Sequence, residues 1–280
     1  MNEERLVHTG GGPPAAGPAV PPPRTGWRAK VPGAFDHFNF RLFWSGQLVS
    51  LIGTWMQSVA QSWLVLQLTN SAFQVGLVTA AQFTPVLLFS LLGGVFADRR
   101  AKRRVIMVTQ TVAALQALTL GILVVSGNIT VGHVIAMAAV LGLVNAFDIP
   151  TRQSFVVELV GRRDLMSAIA LNSSAFNTAR IIGPAIGGVL IARFGVGPLY
   201  IINAASYLAV LTSIFFLRGA ELQTGRRARE SGVWNSLREG VAYVRGDRFV
   251  GVATLLVGLV ATFAMNYTVL LPVVARDVLQ

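Results

Sequence analysis

The sequence predicts an all-α polytopic membrane protein, and three observations carry that prediction. Apolar residues make up 53% of the 280 and charged residues only 12%, whereas a soluble domain carries about twice that charge. The mean hydropathy is +0.60. The charges also leave long gaps, with no Asp, Glu, Lys or Arg in 42–97, 105–147, 194–217 or 249–275. A helix needs about 20 apolar residues to cross ~30 Å of hydrocarbon. The first two gaps therefore hold two spans each, and the last two hold one each.

Taken in order, seven spans are expected, at 41–67, 72–97, 105–126, 131–157, 165–193, 198–217 and 249–271. Residues 1–37 read as a disordered Pro/Gly-rich tail, since seven of the twelve prolines fall before residue 35. No apolar stretch at the start resembles a signal peptide. "SAFQ" (Ser71 to Gln74) fits a capping box for span 2, and Asp164 suits the N-cap of span 5. Residues 38–217 then form a six-span unit, 218–248 a cytoplasmic linker with a loosely amphipathic stretch, and 249–280 a seventh span. Twenty of the 23 basic residues lie in the tail, the 2–3 and 4–5 connections and the 6–7 linker, with Arg152 counted in the 4–5 connection. The positive-inside bias places these segments, and the N-terminus, in the cytoplasm. It also explains the net charge of +11 without nucleic acid as a partner. "GGVFA" (93–97) and "GGVLIA" (187–192) stand 94 residues apart, three spans on, which suggests inverted three-span repeats.

Span 1 carries Gln47, Ser50, Thr54, Gln57, Ser58 and Gln61. At 3.6 residues per turn they share a sector of roughly 100°, running about four turns. Lipid would strand these amides, so the stripe faces either other helices, helped by Gly46 and Gly53, or a polar passage. Its continuity favours a passage. Asn145 in span 4 and Asn177 in span 5 add polar material to that path. Arg180 lies well inside span 5, and a charge there costs at least about 2.5–3.5 kcal/mol on insertion scales. Asp148, the nearest intramembrane acid along the chain, offers two readings: an Arg180–Asp148 pair that locks spans 4 and 5, or a substrate- or proton-coupling site.

Two motifs resemble the major facilitator superfamily. "GGVFADRRAKRR" is similar to the family's loop between spans 2 and 3, through Gly94, Asp98, Arg99 and the basic cluster Lys102, Arg103 and Arg104, with Ala101 where the family usually has glycine. "ARIIGPAIGG" resembles the span-5 motif of proton-driven exporters, through Gly183, Pro184, Gly187 and Gly188. The run from Asn145 to Pro184 resembles the exporter branch that includes enterobactin and macrolide efflux proteins. The resemblance covers 38–280. It implies a six-span half of a twelve-span carrier, alternating access, proton antiport, and siderophore- or drug-like substrates. It also implies a cytoplasmic latch at Asp98 and packing of span 5 on span 8, so a C-terminal half is expected as the missing partner.

The resulting expectation is a multi-pass protein of the cytoplasmic membrane that exports small molecules. Its rivals are uptake and a non-transporting half that serves as a membrane assembly partner. No cofactor and no metal site are expected: there is no cysteine, His8, His37 and His133 are dispersed, and no nucleotide-binding glycine loop occurs.

Overall fold

The computed structural model describes residues 33–223 and 248–263, together with Ala242 and Gly246. Among the described residues the α-helices given with bounds are α1 (Phe38–Thr69), α2 (Ala72–Arg99), α3 (Lys102–Val125), α4 (Val131–Val160), α5 (Leu165–Phe194), α6 (Gly197–Phe215) and α7 (Arg248–Phe263). Two short 3-10 turns, Gly33–Asp36 and Gly219–Glu221, flank the six-helix unit. Each predicted span corresponds to a helix, with most helix ends lying a few residues beyond the predicted limits. The tail as far as Pro32, the amphipathic stretch of the linker and residues 264–280 lie outside the described residues.

Among the described residues, α2 to α6 are long and apolar enough to cross a membrane. The longest helix, α1 at 32 residues, is not one of them, because its amides and hydroxyls dilute its hydropathy. It is nevertheless about 48 Å long at 1.5 Å per residue and runs through the bundle, packed chiefly on α5 and α6.

The helix ends agree only in part with sequence-based expectation. Ser71 and Asp164 occupy N-cap positions, yet neither side chain caps its helix. Asp164 instead takes His37 Nε2 at 3.0 Å, a partner too remote in sequence for a local motif to reveal. The capping box that does form joins Thr130 and His133 at the start of α4. Pro85, Pro150 and Pro184 all lie inside unbroken helices.

The packing repeats itself after three helices. The close partners are α2 with α4, α1 with α5, α3 with α6, α1 with α6 and α3 with α4. Exchanging α1 with α4, α2 with α5 and α3 with α6 turns this set into itself. Because three is odd and the connections are short, α4 runs opposite to α1, so the repeat is inverted. Glycines mark the symmetry. A Cβ on Gly93 would strike the backbone carbonyl of Ala146 on α4, and one on Gly187 would touch Met56 on α1. The next glycines, Gly94 and Gly188, both face open space.

Two apolar clusters close the ends of the bundle. One gathers Leu64, Val65, Leu120, Leu199 and Tyr200; the other gathers Phe40, Phe43, Ile106, Phe155 and Ile214 at the end carrying the basic connections. Polar side chains concentrate between them. The repeat-related helices α2 and α5 are the least covered, with 11% and 22% of their apolar windows buried against 39–50% for α3, α4 and α6.

These contacts predict how the helices respond to added side-chain volume. A Cβ on Gly142 would collide with the Gln82 carbonyl, whereas one on Gly188 meets nothing within 4 Å. Gly142→Ala is expected to lower stability by about 1–3 kcal/mol through overpacking. Gly188→Ala should be neutral or stabilising by up to ~1 kcal/mol through helix propensity. Thermal unfolding of the detergent-solubilised protein distinguishes the two.

Candidate functional site

The interior polar groups fall into two sets. Toward the far end of α1, Gln57 and Gln61 are buried and consumed by neighbouring helices. Gln57 Oε1 accepts from Asn203 Nδ2 at 2.7 Å, and its Nε2 points at Gln116 Oε1 at 3.5 Å. Gln116 in turn donates to the Met137 carbonyl at 3.2 Å, and Ser206 donates to Asn203 Oδ1 at 3.0 Å. This chain of amides ties α4, α3, α1 and α6 together. Gln61 donates to Gln82 on α2 at 3.3 Å. Neither Gln57 nor Gln61 lines the cavity, so this stretch of the stripe is interhelical bonding. Gly46 and Gly53 permit it: each lies so close to α6 that an added Cβ would come within 2.9 Å of a Ser213 or Ser206 side-chain atom.

Nearer the basic end, a cavity of about 810 Å³ opens between α1, α4 and α5. Gln47, Ser50 and Thr54 supply its α1 wall, Asn145 and Asp148 lie on α4, and Asn177 lies on α5. Gln110 from α3 and Tyr207 from α6 close the back, with Thr54 Oγ1 3.5 Å from the Tyr207 hydroxyl. The rest of the lining is largely apolar, including Leu51, Ile149, Val156, Ile169 and Phe176. Six residues predicted from sequence are thus assembled on three helices.

Asp148 is the electrostatic centre, 5% exposed. Its Oδ1 accepts from Thr109 Oγ1 at 2.5 Å and Gln110 Nε2 at 3.2 Å, while Oδ2 accepts from Arg152 Nε at 2.5 Å. A buried carboxylate needs this much compensation. The cation facing it is therefore Arg152, one helical turn on, rather than the Arg180 considered from sequence. Arg180 is half-buried on α5, beyond the cavity wall that ends at Asn177. Arg152 lies within α4, which continues to Val160, as the predicted span 131–157 already implies. The i,i+4 spacing of Asp148 and Arg152 was the available signal. Thr109, Gln110 and Tyr207 carried no signal of their own.

The two motif regions also acquire definite contacts. Gly183 and Gly187 both face α1, where a Cβ on Gly183 would lie 2.5 Å from Trp55 Cβ, whereas Gly188 is open and Pro184 half-buried. In the last turn of α2, Asp98 and Arg99 are exposed. The neighbouring cations are engaged elsewhere: Lys102 binds Glu158 at 2.7 Å, Arg103 donates to the Phe215 carbonyl at 3.0 Å, and Arg100 lies over the Phe96 ring. Among the described residues Asp98 makes no ion pair. These bonds anchor α3 to the ends of α4 and α6. At the same end, Asn39 and Arg218 exchange two hydrogen bonds of 2.9 Å, linking the start of α1 to the chain leaving α6.

Residues 32–280 match the sequence profile of the transmembrane secretion effectors, a family of the major facilitator superfamily. The chain belongs to that family. It is 26% identical over 243 residues to the staphyloferrin A transporter of Staphylococcus aureus, covering 85% of this chain and 59% of that protein. It is 30% identical over 199 residues to the multidrug efflux pump Tap of Mycolicibacterium fortuitum, covering 69% and 48%. It is 26% identical over 241 residues to the enterobactin exporter EntS of Shigella boydii, covering 86% and 57%. The chain spans about half the length of the curated relatives it matches. The family relationship agrees with the resemblance that the two motifs carry and with a polytopic membrane protein.

Two expected outcomes follow. Arg152→Gln leaves a buried carboxylate without its cation and should destabilise by about 3–5 kcal/mol, while the double change Asp148→Asn/Arg152→Gln should recover most of that loss; urea or thermal unfolding reports both. The chain has no native cysteine, so single thiols can be introduced cleanly. Gln47→Cys, Thr54→Cys and Asn177→Cys should react with a water-soluble maleimide, and Gln57→Cys and Gln61→Cys should resist it.

Proposed function

We propose that this chain handles substrate in a secondary transporter that exports small molecules across the cytoplasmic membrane, driven by a proton gradient. The observation that supports this most directly is the 810 Å³ cavity between α1, α4 and α5. It is large enough for a drug-sized ligand, mostly apolar, and equipped with a neutralised charge pair. The relatives are named as a staphyloferrin A transporter, a multidrug efflux pump and an enterobactin exporter, which supports a small-molecule substrate. We read the basic end as cytoplasmic from the distribution of Lys and Arg, which puts the cavity in the cytoplasmic half of the bundle, where an exporter loads. The uncovered faces of α2 and α5 are the surfaces on which a second six-helix half would rock during alternating access. Exposed Asp98 belongs to the latch that holds one access state, through contacts made in that state.

The test uses everted membrane vesicles containing the protein and a fluorescent drug or an iron-free siderophore. With the interior made acid, the probe should accumulate, and a protonophore should abolish the accumulation. Asp98→Asn should insert normally and lower flux several-fold. Normal insertion with no flux of any probe would remove the export reading in favour of a non-transporting membrane partner.

A further inference from the structure

The outer seam between α3 and α6 joins two exposed apolar stripes to unneutralised positive charge at one end. On α3, Val108, Leu115 and Ile122 lie within about 40° of Arg104 at 100° per residue, and all four are exposed. From Arg104 to Ile122 this stripe runs about 27 Å at 1.5 Å per residue, close to the ~30 Å of a hydrocarbon core. On α6, Ile201, Leu208 and Phe215 recur at intervals of seven and form a second exposed stripe. The helices meet near both ends of these stripes. A Cβ on Gly121 would lie 2.8 Å from Ile201 Cγ1, and Arg103 donates to the Phe215 carbonyl at 3.0 Å. A turn of about 100° from Arg103, which faces α6, brings Arg104 onto the exposed stripe.

At its basic end the seam holds two arginines and no acid. Neither α3 nor α6 contains Asp or Glu. The ion pairs among the described residues engage His37, Lys102, Arg152 and Arg218, and neither Arg103 nor Arg104. Arg103 uses one of its five N–H donors on Phe215, and the Arg104 side chain makes no hydrogen bond among the described residues. Beside these cations stand Phe215 and Phe216, 72% and 61% exposed and edge to face at 5.4 Å. A soluble anion would answer the charge and leave the apolar surface bare. Hydrocarbon alone would do the reverse. A molecule with an anionic head and an acyl tail meets both.

We infer that the α3–α6 seam is a binding site for an anionic phospholipid, with the phosphate on Arg103 and Arg104 and an acyl chain along Val108, Leu115 and Leu208. The planar fork of a guanidinium suits phosphate oxygens, and basic residues at the end of a span attract anionic headgroups. The faces proposed above for a second half belong to α2 and α5, not to this seam. The cavity lining includes none of the seam residues, so the inference stands whether or not the chain transports.

The absence of cysteine lets one fluorescent thiol report on the seam. Thr111 is exposed on α3 on the face of Arg104 and Leu115, and its hydroxyl bonds only within its own helix, to the Met107 carbonyl at 2.8 Å. The full chain carrying bimane-labelled Thr111→Cys is placed in phosphatidylcholine nanodiscs doped with brominated phosphatidylglycerol or brominated phosphatidylcholine. Half-maximal quenching should need about tenfold less of the phosphatidylglycerol. Arg103→Gln/Arg104→Gln should abolish that preference with helical content unchanged. Arg104→Gln alone, which breaks no bond seen in the structure, should reduce it several-fold. Arg162→Gln/Arg163→Gln removes the same charge from another exposed pair and should leave it intact. A label at Val189→Cys, exposed on α5, should show no preference. Equal quenching by the two lipids at Thr111 would overturn the site, leaving the seam to bulk lipid or a second copy of the chain. A preference that survives Arg103→Gln/Arg104→Gln, falls equally with Arg162→Gln/Arg163→Gln, or recurs at Val189 would overturn it in favour of diffuse charge attraction.

Discussion

A hydrocarbon environment offers no hydrogen-bond partner, so every polar group carried into it must find one inside the protein or beside water. The arrangement of this bundle follows from that constraint acting on α1. Its stripe of amides and hydroxyls cannot be turned outward, which obliges the helix to sit among α4, α5 and α6. Part of the stripe is then consumed by Gln116, Asn203 and Gln82. The remainder faces open volume. The same rule accounts for Asp148, which is tolerable only because Thr109, Gln110 and Arg152 converge on it.

The two triplets of helices share one packing scheme but differ in chemistry. Gly93 faces α4 and Gly187 faces α1, though an added Cβ would clash with backbone at the first and make only ordinary contact at the second. The ion pair, however, belongs to α4 alone, and the stripe of neutral amides belongs to α1. A symmetric scaffold therefore encloses an asymmetric interior, with charge on one wall and neutral polar groups on the opposing one. Such a division suits a ligand with one charged end and a larger uncharged body.

Much of this was readable in the residues. The gaps between charges predicted the helices, because excluding charge is what lipid requires of a span. A repeated pair of glycines predicted the inverted halves, because close helix approach demands small residues at fixed positions. The limits have equally physical origins. A stripe on a helical wheel does not reveal whether another side chain or empty volume lies opposite, so Gln57 and Gln47 looked alike from sequence. Arg152 falls within the predicted span yet counts among the basic residues of the 4–5 connection, because helices continue for a turn or more past the hydrocarbon, where charge ceases to mark a boundary. Thr109, Gln110 and Tyr207 are brought to the site from α3 and α6 by tertiary packing alone.

The reciprocal bond between Asn39 and Arg218 closes the six-helix unit into a mechanical loop. The first turn of α1 and the chain leaving α6 are buttoned together at one end, so tension applied through the flanking segments meets at that point. The bond thereby couples the chain beyond α6 to the foot of α1, the same helix that lines the cavity from Gln47 onward.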